Sequence, residues 1–503
     1  MELELLPFSV FPLFATLFLL FFITIIARFR SSSSADTNKN LPPQPWKLPL
    51  IGHLHHMIGA PPHRALANLA RKLGPIARLQ LGEISAILIS SPHFAKEIMK
   101  THDLVFADRP KLLSIEIACN YQDIVFAPYG DYWRQMRKIC ILELLSAKKV
   151  RSFQYLREEE SRNLVESVAK KKSKTINLTE KIFTMMNTII CKVAVGSECK
   201  DQAKYIEAIQ EFIYLSGGFD VADVFPSIKI LHLLAGTRSK LVKIHKKMDE
   251  ILDSIISDHR SAGRQNNDNE DLLDVLLRLK DHGGLQFPLT SDQIKAVIFD
   301  ILAAGTDTSA VTMEWAMSEL MKNPRVMKKL QAEIRNLFKG KKEIHESDIQ
   351  ELSYLKLVIM ETLRLHPPLP LIVPRECRET CEVGGYHVPI KTKVIINVWK
   401  IGRDPDYWND PENFMPERFS NSSINMMGQD FEYLPFGAGR RMCPGMLLGL
   451  ADVELPLVTL LYHFNWELPN GANPETLDMT ESFGATLKRK NPLLLVPSPY
   501  NTN

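Results

Sequence analysis

Neither sign of charge prevails in this chain: 61 Lys+Arg face 58 Asp+Glu over 503 residues, a formal net charge of +3. So small an excess excludes nucleic acid as the main partner, although a local basic face remains open. Cysteine is scarce as well. The seven thiols, at 119, 140, 191, 199, 377, 381 and 443, are odd in number and scattered, which argues against a disulfide framework and for a reducing compartment. Cys377 and Cys381 are the only close pair. No second Cys/His pair at finger spacing follows them, so no structural zinc site is expected. No repeat period is evident from Leu54 onward, which argues against a repeat architecture.

What the chain does have begins at its first residues. From Leu5 to Ala27 there is no charge, a run long enough to cross a bilayer as a helix. Glu2 and Glu4 precede it and Arg28 and Arg30 follow it, which puts the body on the cytosolic side. No clear small-residue cleavage site follows, so residues 1–28 read as an uncleaved transmembrane anchor rather than a signal peptide. Residues 29–53 read as a polar, then proline-rich hinge, with prolines at 42, 43, 45 and 49 stiffening the link. Residues 54–503 are expected to form one dominant domain.

Within that body, apolar spacing of helical period predicts helices over Leu156–Ala169, Arg238–Ser261, Ser291–Lys322 and Arg325–Phe338. Short β-branched runs predict strands at Ile76–Leu81, Ser85–Ile89 and Val394–Val398. Polar stretches at 170–174, 261–270 and 421–429 read as surface loops. The fold class is therefore mainly α with a small β region.

Two segments carry chemistry. In Phe436-Gly437-Ala438-Gly439-Arg440-Arg441-Met442-Cys443-Pro444-Gly445, glycines let the backbone approach a flat macrocycle and turn N–H groups toward sulfur, while an arginine offers a cation to a carboxylate. Both features favour thiolate over thiol. The second segment lies inside the helix that Thr290-Ser291-Asp292-Gln293 caps and Pro324 stops, about 50 Å long at 1.5 Å per residue. Its Ala303-Ala304-Gly305-Thr306-Asp307-Thr308-Ser309 stretch is odd for a buried helix. Thr308 can bond back to the Ala304 carbonyl, and Gly305 can let the helix open into a groove. Asp300, two turns earlier on nearly the same face, reads as a structural salt bridge or a water-path carboxylate.

The spacing of Phe436, Gly439, Arg441, Cys443 and Gly445, F-x-x-G-x-R-x-C-x-G, resembles that of the haem-thiolate monooxygenases, the cytochromes P-450. This resemblance implies the cytochrome P-450 fold and a b-type haem (heme b) with Cys443 as its axial thiolate. It implies further that Phe436, Gly437, Gly439, Gly445 and Ala304 bound the haem, and that Asp307 and Thr308 are an acid and alcohol pair delivering protons during dioxygen activation. Trp133 and Arg137, one turn apart, match a W-x-x-x-R that meets a haem propionate. Arg441 and Arg375 are further propionate contacts, with Arg378 a rival for the latter. Glu361, Arg364 and Arg418 match a buried Glu-Arg-Arg network.

The resemblance also implies partners and place. Electrons come from NADPH through an NADPH-cytochrome reductase, with cytochrome b5 as a second donor, docking where Arg134, Lys138 and Arg440 offer cations. The location is the endoplasmic reticulum membrane. The segments that build the substrate pocket are apolar here, with Ile115, Ile117, Phe212, Ile301, Leu369 and Phe483 among them, so a hydrophobic molecule held by shape is expected. Stretches such as 123–134 and 142–146 look like plant members that oxidise terpenoids, which implies hydroxylation or further oxidation of a terpenoid, a sesquiterpene or diterpene foremost. Oxidation of an alkaloid or phenolic, reductase-independent hydroperoxide rearrangement and a non-enzymatic haem-binding scaffold stand as alternatives.

Overall fold

The computed structural model describes Thr16 and residues 40–171, 174–199, 201–261, 270–341 and 343–500. The expected membrane anchor lies outside the described residues, as do most of the polar stretch after it, the centre of the 261–270 loop and part of the 170–174 loop. The remaining body is mainly helical with four small sheets. The expected helices appear as Gln154–Ala169, Thr237–Ser261, Ser291–Lys322 and Pro324–Leu337. The third expected strand ends early: it spans Lys393–Ile396, and Asn397 turns the chain into the helix Val398–Ile401 by capping it.

The largest sheet has four strands in the order Ile76–Leu81, Ile84–Ile89, Lys393–Ile396, Arg375–Glu376. The first pair is an antiparallel hairpin with Ile76 opposite Ile89, and the second pair is parallel with Ala86 opposite Lys393. This parallel pairing joins residues three hundred apart, which local propensity cannot encode. Arg78 N donates to Pro43 O at 2.8 Å, and His53 N to Gln80 O at 2.7 Å, so residues 43–53 lie along the sheet.

The helix Ser291–Lys322 runs through the centre. Its start is the expected capping box, with Thr290 accepting from Gln293 N at 3.2 Å and Gln293 Oε1 accepting from Thr290 N at 3.0 Å. Ser291–Lys322 and Met446–His463 are the two described helices apolar and long enough to cross a membrane, but both are packed inside the protein. Their apolar faces are core.

The helix stays unbroken through Gly305, contrary to the expected opening. Gly305 serves a different need. A Cβ there would lie 2.8 Å from Ile190 Cδ1, on the helix Leu178–Val195 that packs against it. Alanine at 305 gains about 1 kcal/mol of helix propensity but forces an overpacking cost of about 1–3 kcal/mol. Gly305→Ala should therefore lower stability by about 1 kcal/mol, and adding Ile190→Val, which deletes the clashing methyl, should restore it; paired denaturant titrations check this.

Candidate active site

The loop 436–445 is shaped by its glycines and by a buried carboxylate. Gly437 and Gly439 take φ of 68° and 69°, in the left-handed region where only glycine is at ease. At Gly439 a Cβ would sit 2.2 Å from Met99 O, so no side chain fits. Asp103, which is buried, braces the loop. Its Oδ2 accepts from Arg440 N at 2.9 Å and its Oδ1 from Arg375 Nη1 at 2.7 Å. Nothing in the local sequence marked Asp103, because its partners lie about 270 and 340 positions away.

Cys443 closes the loop by donating its N–H to Phe436 O at 3.0 Å, just before the helix Met446–His463. Its sulfur opens onto an internal cavity. The N–H of Gly445 and the Arg137 guanidinium favour the thiolate, as expected, but burial outweighs them and holds the thiol above its ordinary pKa.

Four arginines converge on the same cavity: Arg109, Arg137, Arg375 and Arg441. Arg441 donates to Ala107 O at 2.8 Å and Ala127 O at 2.6 Å, while its buried Nη1 has no partner. Burial, with Arg375 and Arg137 nearby, pushes its pKa down to about 10 despite the help of Asp108. Arg375 splits its guanidinium between Asp103 and Ala438 O. Its rival Arg378 is turned to Asp108 at 3.5 Å and does not line the cavity. Arg109 was missed as a site residue. Its guanidinium holds Val125 O at 3.0 Å and Val373 O at 2.7 Å, and burial beside Arg441 and Arg375 drives its pKa well down.

Trp133 and Arg137 face inward from the helix Asp131–Cys140, with Arg134 and Lys138 exposed on the other side. The expected propionate contact of Trp133 needs amending. Its indole N–H is spent on Ile124 O at 2.9 Å, and its ring lies against two cations, Arg441 at 4.3 Å and Arg137 at 5.3 Å from the centroid. Trp133 thus positions arginines and does not itself line the cavity.

Across the cavity, Thr308 Oγ1 donates to Ala304 O at 2.7 Å, as expected. Asp307 borders the cavity, but its carboxylate is not a free acid. It is fully buried, ion-paired to Lys488 Nζ at 2.5 Å and bonded by Thr486 Oγ1 at 2.7 Å. Among the described residues Asp300 makes no salt bridge; its Oδ2 accepts from Ile124 N at 2.7 Å and Val125 N at 3.1 Å. Burial, with Asp123 alongside, raises its pKa well above the carboxylate range. The apolar lining includes Ile115, Phe212, Ile301, Leu369 and Phe483, but Ile117 packs elsewhere in the core.

Two observations test whether a haem fits. Ala304 lies in the middle of a buried helix yet is exposed, and so is Cys443 opposite it, which marks a gap between them. At one side of that gap the guanidiniums gather, with an orphaned N–H on Arg441. A flat apolar group with an iron at its centre and carboxylates on one edge satisfies both, and the residues fit it.

A thiol opening onto an internal cavity, across from a helix that carries an alcohol and with cations gathered at one side, defines a haem-thiolate oxygenase. Comparison with known proteins reaches the same class independently. The cytochrome P-450 family model matches residues 42–496. Premnaspirodiene oxygenase of Hyoscyamus muticus is 54% identical over 97% of this chain and 98% of its own length. Germacrene A hydroxylase of Barnadesia spinosa is 57% identical over 95% of the chain and 97% of its own length, and amorpha-4,11-diene 12-monooxygenase of Artemisia annua 56% over 93% and 94%. Among solved structures, a zebrafish cytochrome P-450 with progesterone superposes at a TM-score of 0.75, with 24% identity, covering 88% of this chain and all of that one. The chain belongs to the cytochrome P-450 family. It is a monooxygenase of haem-thiolate type, with the mainly helical P-450 fold.

Proposed function

We propose that this protein hydroxylates or further oxidises a terpenoid, a sesquiterpene first among them. The carrying observation is the apolar cavity above Cys443, in a chain whose relatives at 54–57% identity are named for oxidising premnaspirodiene, germacrene A and amorpha-4,11-diene. Cys443 would hold the haem iron through its sulfur, from a loop shaped by Phe436, Gly437, Gly439 and Gly445. Arg137, Arg375 and Arg441, joined by Arg109, would take the propionates, and Ala304 would leave room for the ring. When bound, the haem supplies reductive activation of dioxygen, which inserts one oxygen atom and releases the other as water.

The protein's part is to orient and to deliver protons. An apolar cavity positions a hydrocarbon by shape and excludes bulk water. Thr308 holds its hydroxyl against the Ala304 carbonyl, at the cavity wall. Lys488, about one-fifth exposed, connects the surface to buried Asp307, so protons can pass from solvent through that ion pair to the turn bearing Thr308. Asp307→Asn combined with Thr308→Ala should cut product formation by roughly 10²-fold while NADPH consumption continues, read as product per NADPH.

NADPH electrons through an NADPH-cytochrome reductase, with cytochrome b5 as an accessory donor, suit the cationic face of Arg134, Lys138 and Arg440, all exposed. The uncharged run Leu5–Ala27 supports a single-pass anchor, residues 1–28, in the endoplasmic reticulum membrane, with the catalytic domain cytosolic. The helix Lys229–Ala235, whose Leu233 and Leu234 are 80% and 76% exposed, is compatible with a body resting on that membrane. The test is incubation of microsomes containing the protein and a reductase with sesquiterpene, diterpene, alkaloid and phenolic panels. NADPH-dependent sesquiterpene oxidation is expected. Turnover of the alkaloids or phenolics alone would overturn the reading, as would product formed without NADPH.

A further inference from the structure

One buried cation in the cavity wall is not used by any of this chemistry. Lys393 begins the strand Lys393–Ile396 and is 6% exposed. Its Nζ donates to Gly218 O at 3.0 Å and lies 5.5 Å from the centroid of the Phe219 ring. No carboxylate is within ion-pair distance among the described residues. Asp223, the acid acting on it from farther away, has its Oδ1 on Leu113 N at 2.9 Å. Lys391, two residues earlier and exposed, has its own carboxylate, Glu376 at 2.7 Å. The buried lysine is thus the one left without an ion-pair partner. Burial lowers its pKa, and Asp223 offsets only part of that.

Its position makes this more than an awkward core residue. Lys393 and Leu112 are the two residues shared by the catalytic cavity and a second cleft. That cleft carries Lys111, Lys229, Arg238, Lys243 and Lys391, and none of the cysteine loop. Lys393 therefore stands where the catalytic cavity adjoins the second cleft. The apolar side chains of Phe219, Leu371 and Phe483 belong to the same cavity wall, with the Phe219 ring beside the ammonium.

An ammonium buried among apolar groups with one backbone acceptor has two unused donors and a charge that Asp223 offsets only in part, a costly arrangement unless a ligand completes it. A hydrocarbon cannot do so; an alcohol supplies an acceptor without charge; a carboxylate supplies both. We propose that Lys393 is a head-group site that binds the carboxylate of a terpenoid acid, with the hydrocarbon body lying along Phe219, Leu371 and Phe483 toward Ala304. This rests on the terpenoid reading above and adds a specificity-determining residue to it. A carboxylate fixed at Lys393 presents the opposite end of the skeleton to the reacting centre, so the site selects both the ligand and the carbon exposed.

The test is equilibrium dialysis of the haem-loaded, full-length protein against farnesene, farnesol and farnesoic acid, for the parent, K393Q, K393M and K393R. The parent should bind farnesoic acid at least about tenfold more tightly than farnesene, with farnesol between them. K393Q, which can still donate to Gly218 O, should bring the acid to within about twofold of the hydrocarbon, and K393R should keep the preference. K393M provides a second neutral variant if K393Q fails to fold. A parent that binds farnesene with no preference for the acid, or a neutral variant that keeps the preference, overturns the role of Lys393 and leaves the terpenoid reading standing. Failure of all three ligands to bind the parent overturns both.

Discussion

Cys443→Ser is expected to leave a folded protein without monooxygenase activity, with turnover below about one-thousandth of the parent. The sulfur opens onto the cavity and carries little of the packing, so its loss disturbs the fold little. What it removes is a soft, electron-rich donor. A serine hydroxyl does not ionise near neutral pH, and its oxygen gives a bound iron a harder, weaker axial partner than thiolate. The surroundings cannot compensate, because the Gly445 N–H and Arg137 stabilise an anion that serine does not form. The absorbance of the reduced carbon monoxide form should lose its thiolate signature, while far-ultraviolet circular dichroism stays unchanged. An intact thiolate signature in the variant would show that another residue holds the iron.

Glu361→Ala should act on the fold itself. One fully buried carboxylate accepts from Arg364 Nε at 2.7 Å and Nη2 at 2.8 Å, from Arg418 Nε at 3.0 Å and from Met415 N at 2.8 Å. The two guanidiniums then fasten the segment leading to the cysteine loop. Arg364 Nη1 donates to Gly402 O at 2.6 Å and Pro411 O at 2.7 Å, and Arg418 Nη1 to Asn409 O at 2.6 Å. Deleting Glu361 strands Arg364 as a buried charge with no counter-ion, and breaking a buried pair in this way costs about 3–5 kcal/mol. Against a typical total of about 5–15 kcal/mol, that is a large fraction of the stability. The variant should accumulate poorly and lose haem on heating far sooner than the parent. Arg418→Lys keeps the charge but not the forked geometry, and should lose less. Because a protein of this size tends to unfold irreversibly, the half-life of haem retention at fixed temperature is the measurement that ranks the three.

Comparison of the two segments that carry the chemistry shows how far local order reaches. The capping box at Thr290, the stop at Pro324 and the Thr308 bond to Ala304 were all legible, because each is an exchange within four residues of helix. The inward pairing of Trp133 and Arg137 was legible for the same reason, as a one-turn spacing. Gly305 was misread. Its composition suggested an opened helix, whereas it answers to Ile190 on a different helix. Asp307 and Asp300 were placed on the right helix, yet their partners, Lys488 and the amides of Ile124 and Val125, come from segments 180 residues away on either side. Asp103 and Arg109 carried no local signal. Each is an ordinary charged residue in a loop until the chain brings Arg375, Arg440 and Arg441 beside it.

The order of residues alone determined the secondary structure of the long helices, the thiol that faces the cavity, the alcohol above it and the family to which both belong. These depend on periodicity and on spacings of a few residues, where backbone geometry leaves little freedom. Tertiary packing alone decided which arginines line the cavity, that the indole of Trp133 braces rather than donates, that Asp307 is held by Lys488, and that Lys393 is buried without a counter-ion. Those outcomes turn on charges and donors meeting across hundreds of residues, and the strength and direction of such contacts are set by burial, which no short stretch of sequence carries.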